Sequence, residues 1–238
     1  LFLLAVGVGI FLLTNWLTAK HLADTTPISS YEDVVEIAEE IHDAQSLADA
    51  VESLPLDAAL IDKMTHEMQR QLDKAQSDRQ VKAVLLIVDS PGGTVTGSDV
   101  LYEKIKTFRK SGKKVVALVR SLAASGGYYV AAGSDHILCQ RTGITGSIGV
   151  IWPHINVSRL LDEKLLISYE PIKSTKMKDI GSMTRTMTPE ERQILQNVVS
   201  DAHSRFVEVV AEGRQLAEAE AAKLANGSIF TAQQALDN

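Results

Sequence analysis

The stretch Val84-Leu85-Leu86-Ile87-Val88-Asp89-Ser90-Pro91-Gly92-Gly93 decides the fold. Five apolar residues in a row, bounded by turn residues, fit a short strand buried on both faces, as a parallel sheet requires. Pro91-Gly92-Gly93 ends it. On the C-terminal side a helix is expected from about Asp99 to Lys110, with Ser98 as its N-cap and Gly112 just past its end. Val115 to Val119 reads as a second buried strand, and Gly126-Gly127 leads into the helix-like Tyr-Tyr-Val-Ala-Ala-Gly. Ile137 to Cys139 reads as a third strand and Ile167 to Ile172 as another. Thr188-Pro189-Glu190-Glu191 is a helix start, with a Thr cap, Pro in the first position and Glu three residues after the cap. That helix should run to about Glu212, with Ile194, Leu195, Val198, Val199, Ala202, Phe206, Val209 and Val210 facing inward. On the N-terminal side, one helix carries Ile61, Met64, Met68, Leu72 and Ala75 on a single face. Another spans Tyr31 to Val51, followed by a break at Leu54-Pro55-Leu56. Strands alternating with helices predict an α/β fold with a largely parallel sheet.

Composition narrows the function. The 238 residues carry 24 Lys+Arg against 30 Asp+Glu, a formal charge of −6, which argues against nucleic-acid binding through bulk charge. With 45% hydrophobic and 23% charged residues the chain is neither disordered nor collagen-like. Cys139 stands alone, so no internal disulfide framework or multi-cysteine zinc site exists. The six His have no metal-ligand spacing, and no metal or cofactor is expected.

Leu1 to Leu17 has no charged residue before Lys20. As a helix it would rise about 26 Å, slightly less than a hydrocarbon core of about 30 Å, and Trp16 suits the membrane interface. The chain opens on Leu1 rather than Met and so reads as a fragment or a processed form. A single-pass anchor over 1–19 is the favoured reading, ahead of a cleaved signal peptide or a buried helix. Residues 20–56 then form a linker and an acidic helical segment, and residues 57–238 the remaining domain.

Three segments carry chemistry. In Asp89-Ser90-Pro91-Gly92-Gly93, glycines leave backbone N–H groups uncovered, and such groups can face a developing oxyanion; a plain tight turn is the bland alternative. In Ser121-Leu122-Ala123-Ala124-Ser125-Gly126-Gly127-Tyr128-Tyr129, Ser125 falls where a buried strand meets a helix N-terminus. There it either caps the helix or serves as a nucleophile with small neighbours that admit a substrate backbone. A serine nucleophile needs a base, and no His stands in a recognisable triad order. Lys173-Ser174-Thr175-Lys176-Met177-Lys178-Asp179 offers lysines, which act as bases when desolvation favours the neutral amine; a solvated loop is the alternative.

Taken together the segments resemble the signal peptide peptidase A family of membrane-anchored Ser–Lys serine proteases. The resemblance runs from about Gln80 to Leu236. It rests on VDSPGG (88–93), AASGGYY (123–129), TGSIGV (145–150), KSTKMKDIGS (173–182), MTPEE (187–191) and GSIFTAQQAL (227–236). It implies a Clp protease/crotonase-like stacked α/β superhelix. It also implies Ser125 as nucleophile, Lys178 as general base with Lys176 as a nearby decoy, and Ser147 as the residue orienting the lysine. Backbone N–H groups of Gly92, Gly93 and Gly126 would form the oxyanion hole.

The same resemblance implies an endopeptidase that hydrolyses membrane-associated remnant signal peptides through an acyl-enzyme. It further implies a homo-oligomer whose subunits share active sites, at the bacterial plasma membrane with the catalytic part extracytoplasmic. Two departures stand out. The family usually opens with a VxxIxGxI-type strand where Tyr31 to Pro55 reads as helical and acidic, and the chain stops at Asn238 before the usual GLVDELG-like tail. The rival readings are a crotonase-type acyl-CoA enzyme and a catalytically inactive membrane scaffold of the same fold.

Overall fold

The computed structural model of the chain describes residues 11–13 and 58–238. The expected helix over 31–51 and the linker before it lie outside the described residues. The chain forms two compact units, one holding the described residues up to Gly149 together with Phe206–Asn238, the other Val150–Arg205.

The first unit is built on one sheet. Its elements are β1 (Phe11–Leu13), α1 (Ala58–Ser77), β2 (Ala83–Ser90), α2 (Val95–Arg109), β3 (Lys114–Ala124), α3 (Gly126–Ala131), β4 (His136–Cys139) and β5 (Ile144–Gly146). After the second unit come α4 (Pro189–Arg214), which begins in that unit, then α5 (Glu218–Leu224), β6 (Ile229–Thr231) and α6 (Ala232–Asp237). The strand order is β1-β2-β3-β5-β6, with β4 also paired to β3. The β2–β3, β3–β4 and β3–β5 pairs are parallel, whereas β1 and β6 run antiparallel to their neighbours, so the sheet is mixed with a parallel centre.

The run that decided the fold is buried on both faces: Val84, Leu86 and Val88 on one, Leu85 and Ile87 on the other, all at most 4% exposed. The first set packs with Met68 and Leu72 of α1, Leu101, Ile105 and Phe108 of α2, and Val115, Ala117 and Val119 of β3. Phe108 is fully buried, which contributes about 1.5–3 kcal/mol from that ring alone. A second cluster joins Tyr128 and Tyr129 of α3 to Phe206, Val209 and Val210 of α4 and Ala221 of α5.

Four expectations are corrected. Phe11–Leu13, read as part of a transmembrane helix, pairs as a strand against Val88–Leu86. The edge of β2 offers its backbone N–H and C=O groups a ladder of partners. No helix among the described residues is long and apolar enough to cross a membrane. The α2 helix begins one turn early, because Thr94 caps it by accepting from Gly97 N–H at 3.2 Å, which places Ser98 inside the helix and buried. Residues 167–172 form no strand; Ile167 and Ile172 are exposed and no neighbouring strand pairs with them. In α4 the expected inward face is split: Leu195, Phe206, Val209 and Val210 are buried, but Ile194 and Val198 are exposed.

The second unit holds a single π-helical turn (Leu160–Leu165), a run of turns over 174–185, and the first part of α4. Thr188 and Glu191 form the anticipated capping box: Glu191 N–H donates to Thr188 Oγ1 at 3.2 Å and Thr188 N–H to Glu191 Oε2 at 2.8 Å.

Candidate active site

Ser125 ends β3 and opens α3, with φ 51° and ψ −122°. Its backbone is held on both sides: its N–H donates to Gly146 O at 2.8 Å, and its C=O accepts from Tyr129 N–H at 2.9 Å. A left-handed φ at a residue with a β-carbon carries strain of the kind that concentrates at functional positions. Its side chain makes no capping bond to α3, so the hydroxyl is not spent on closing the helix.

The Pro91-Gly92-Gly93 turn lies against this residue. A β-carbon on Gly92, whose φ is +141°, would stand 3.0 Å from Ser125 Cβ and 3.3 Å from Oγ. One on Gly126 would meet Gly93 N at 2.8 Å and would collide with Ser98 Oγ. The three glycines named from sequence are therefore gathered around Ser125, with Gly92 and Gly126 buried. Gly92 N–H donates to Ser90 Oγ at 3.2 Å, whose hydroxyl in turn donates to Gly92 O at 3.3 Å, so Ser90 fixes the turn and occupies that N–H. Donation to an oxyanion falls more readily to Gly93 and Gly126.

Ser147 stands just beyond β5. Because Ala124 pairs with Gly146, Ser125 and Ser147 are the next residues of their two strands, and both are left-handed, at φ 51° and 50°. Ser147 N–H donates to Ser228 O at 2.6 Å, and Gly227 N–H to Ile148 O at 3.1 Å. This gives GSIFTAQQAL its structural part: it straps the TGSIGV turn in place through β6, closed by a capping box between Thr231 and Gln234.

Behind α3, Tyr129 OH donates to Asp99 at 2.6 Å, and its ring packs edge-on to Tyr102 and tilted against Phe206. Arg214 donates to Tyr128 OH at 2.9 Å. The two tyrosines following the serine thus tie α3 to α2 and α4.

The lysines belong to the second unit. Lys178 is exposed; its backbone N–H donates to Thr175 O at 3.2 Å, and its amine has no hydrogen bond or ion pair among the described residues. Lys176 is paired with Glu190, which raises its pKa and favours the ammonium form. Beside Lys178, Asp179 accepts from Arg185 and from Lys173, each at 2.8 Å. Those bonds, Arg185 first, hold its carboxyl well below the usual range. Arg185 also grips Glu191, whose pKa falls to about 2 through Arg185 and the Thr188 N–H. The turn bearing Lys178 is therefore anchored to the start of α4 by a charge network.

Sequence reasoning missed Ser90, Ser98 and Arg185. The D-S-P-G-G run contained the Ser90 signal, since a serine two residues before a turn glycine can bond its backbone. Arg185 has no local pattern that announces it. Among the described residues no group of His, Cys, Asp and Glu is placed to hold a metal ion.

Sequence comparison adds the family. The profile of peptidase family S49 matches residues 107–238, and that of Clp protease matches residues 38–153. The chain is 45% identical over 164 residues to a provisionally named protease of Synechocystis sp., covering 69% of this chain and 58% of that protein. It is 40% identical over 168 residues to a provisionally named signal peptide peptidase SppA of Enterococcus faecium, covering 71% and 48%. Against a provisionally named protease of Methanocaldococcus jannaschii it is 42% identical over 164 residues, covering 69% and 52%. The chain belongs to peptidase family S49, of serine-type peptidases, and has a Clp protease-like α/β fold. It spans about half the length of these relatives.

Proposed function

We propose that the chain is a serine endopeptidase in which Ser125 is the nucleophile and Lys178 the general base. The observation that carries this reading is the left-handed Ser125, its hydroxyl unspent, with the Gly92-Gly93 backbone packed against it. The pairing of Lys176 with Glu190 favours Lys178 over its neighbour, because a lysine base acts as the neutral amine. In the reaction, Lys178 takes the proton of Ser125 Oγ as the oxygen attacks the scissile carbonyl. N–H groups of Gly93 and Gly126, with Gly92 once Ser90 releases it, stabilise the oxyanion. The C–N bond breaks, the amine leaves with the proton from Lys178, and water activated by the same lysine hydrolyses the acyl-enzyme. Ser147 orients the amine.

The substrates are remnant signal peptides, a reading supported by the motifs and by the name of the Enterococcus relative. The protein works as a homo-oligomer, with serine and lysine contributed by adjacent copies. The protein acts at the bacterial plasma membrane with its catalytic part outside the cytoplasm. Hydrolysis of an apolar signal-peptide fragment by the membrane-reconstituted chain tests the reading. Cleavage abolished by Ser125→Ala and by Lys178→Ala supports it; cleavage that survives Ser125→Ala overturns it.

A further inference from the structure

Ser90, the last residue of β2, is fully buried, and its hydroxyl serves a single neighbour. Gly92 N–H donates to Ser90 Oγ at 3.2 Å, and the hydroxyl hydrogen goes to Gly92 O at 3.3 Å. That carbonyl belongs to the Gly92–Gly93 peptide, the same plane that carries Gly93 N–H. The peptides of the described residues are trans, and in a trans peptide C=O and N–H point in opposite directions. Holding the oxygen toward Ser90 therefore turns Gly93 N–H to the other side. Among the described residues that N–H has no acceptor.

Little else fixes the orientation of this peptide. The two torsions that would flip it, ψ of Gly92 and φ of Gly93, both belong to glycines, so no β-carbon within the turn opposes the flip. No second donor reaches Gly92 O among the described residues. Once flipped, the peptide would present its carbonyl dipole where an oxyanion develops, and Gly93 N–H would face Ser90. Ser90 itself is held by α3. A β-carbon on Gly127 would stand 2.9 Å from Ser90 O and 3.1 Å from both its Cβ and its Oγ. One on Gly126 would stand 2.8 Å from Gly93 N and 3.3 Å from Gly92 C. The first two residues of α3 thus lie over the peptide and over the serine that holds it.

We infer that Ser90 is a positioning residue of the oxyanion hole: by donating to Gly92 O it keeps Gly93 N–H turned toward the carbonyl that Ser125 attacks. The inference rests on the reading of Ser125 as nucleophile. Ser90 acts through the orientation of one peptide and touches no substrate. Its effect therefore belongs to the step in which charge develops on the oxygen, and not to substrate binding.

The test compares two ligands on the full chain. One is a peptide aldehyde, which adds to a serine nucleophile as a tetrahedral species bearing an oxyanion; the other is the matching peptide alcohol, which binds without adding. The wild type should bind the aldehyde at least about tenfold more tightly than the alcohol. Ser90→Ala should remove most of that preference and lower kcat by roughly tenfold or more, with KM and the affinity for the alcohol changed by less than about twofold. Ser90→Cys keeps the volume but donates more weakly, so it should fall between the two, and a loss there cannot come from an emptied space. Equal weakening of both ligands, or a preference that survives Ser90→Ala, would overturn the inference. So would a Ser90→Cys chain as active as wild type beside an impaired Ser90→Ala, since packing alone would then explain the loss. A wild type that binds aldehyde and alcohol alike would instead overturn the reading of Ser125 on which the inference rests, which separates the two failures.

Discussion

Gly92 and Ser125 touch through a missing side chain: a β-carbon on the glycine would fall 3.0 Å from that of the serine. The contact makes the Pro-Gly-Gly turn and the end of β3 one structure, although 33 residues separate them in sequence. Gly92→Ala must displace one or the other, and its φ of +141° makes the substitution strained in any case. The rate of labelling by a fluorophosphonate should fall by about 10²–10³-fold, the cost of an oxyanion donor, because the displaced turn carries the Gly93 N–H out of place. Gly126→Ala should do the same, and adding Ser98→Ala should recover part of the loss by removing the hydroxyl that the new methyl strikes. Unchanged labelling of Gly92→Ala would separate the turn from the chemistry.

If adjacent copies share a site, Ser125→Ala and Lys178→Ala chains are each inactive alone but active when mixed and allowed to exchange. Random assembly gives activity approaching one quarter of wild type, on the order of the fraction of sites that receive both groups. Trp152, 53% exposed in the single chain, should shift its emission to the blue on assembly if its apolar neighbours Ile151 and Ile155 are covered. Inactive mixtures of fully exchanged chains would place both groups in one copy.

The charge network around Arg185 predicts an acid limit. Asp179 and Glu191 have depressed pKa values in the folded chain, that of Glu191 about 2. Such groups stabilise the fold above their unfolded pKa of about 4, and the contribution is lost as pH falls toward 2. Protection from hydrogen exchange across 173–191, taken relative to the intrinsic amide rate at each pH, should therefore fall between pH 4 and 2. Arg185→Ala should show low protection already at pH 7 and little further change in protection on acidification. Identical pH traces for the two proteins would remove the network from the account.

What the sequence made legible follows from how local each signal is. The run 84–88 and the Thr188 cap are set by neighbouring residues, and both elements stand where expected. The start of α2 was misplaced because Thr94 and Ser98 are equally good caps by residue type, and only burial of Ser98 against Gly126 separates them. Phe11–Leu13 was read as helix from its apolarity alone, which cannot distinguish a membrane from the open edge of β2. At the site, the residue types were legible but not their mutual use. That Ser90 takes the Gly92 N–H, and that Lys176 is bound to Glu190, depend on contacts no spacing encodes.

The most direct measurement locates a fluorophosphonate adduct by peptide mass mapping in the assembled chain, beside Lys176→Ala and Lys178→Ala. The account predicts a single adduct on Ser125, retained with Lys176→Ala and slowed by about 10²–10⁴-fold with Lys178→Ala, the usual worth of a general base. An adduct on any other serine, or labelling lost with Lys176→Ala while Lys178→Ala is unaffected, would contradict it.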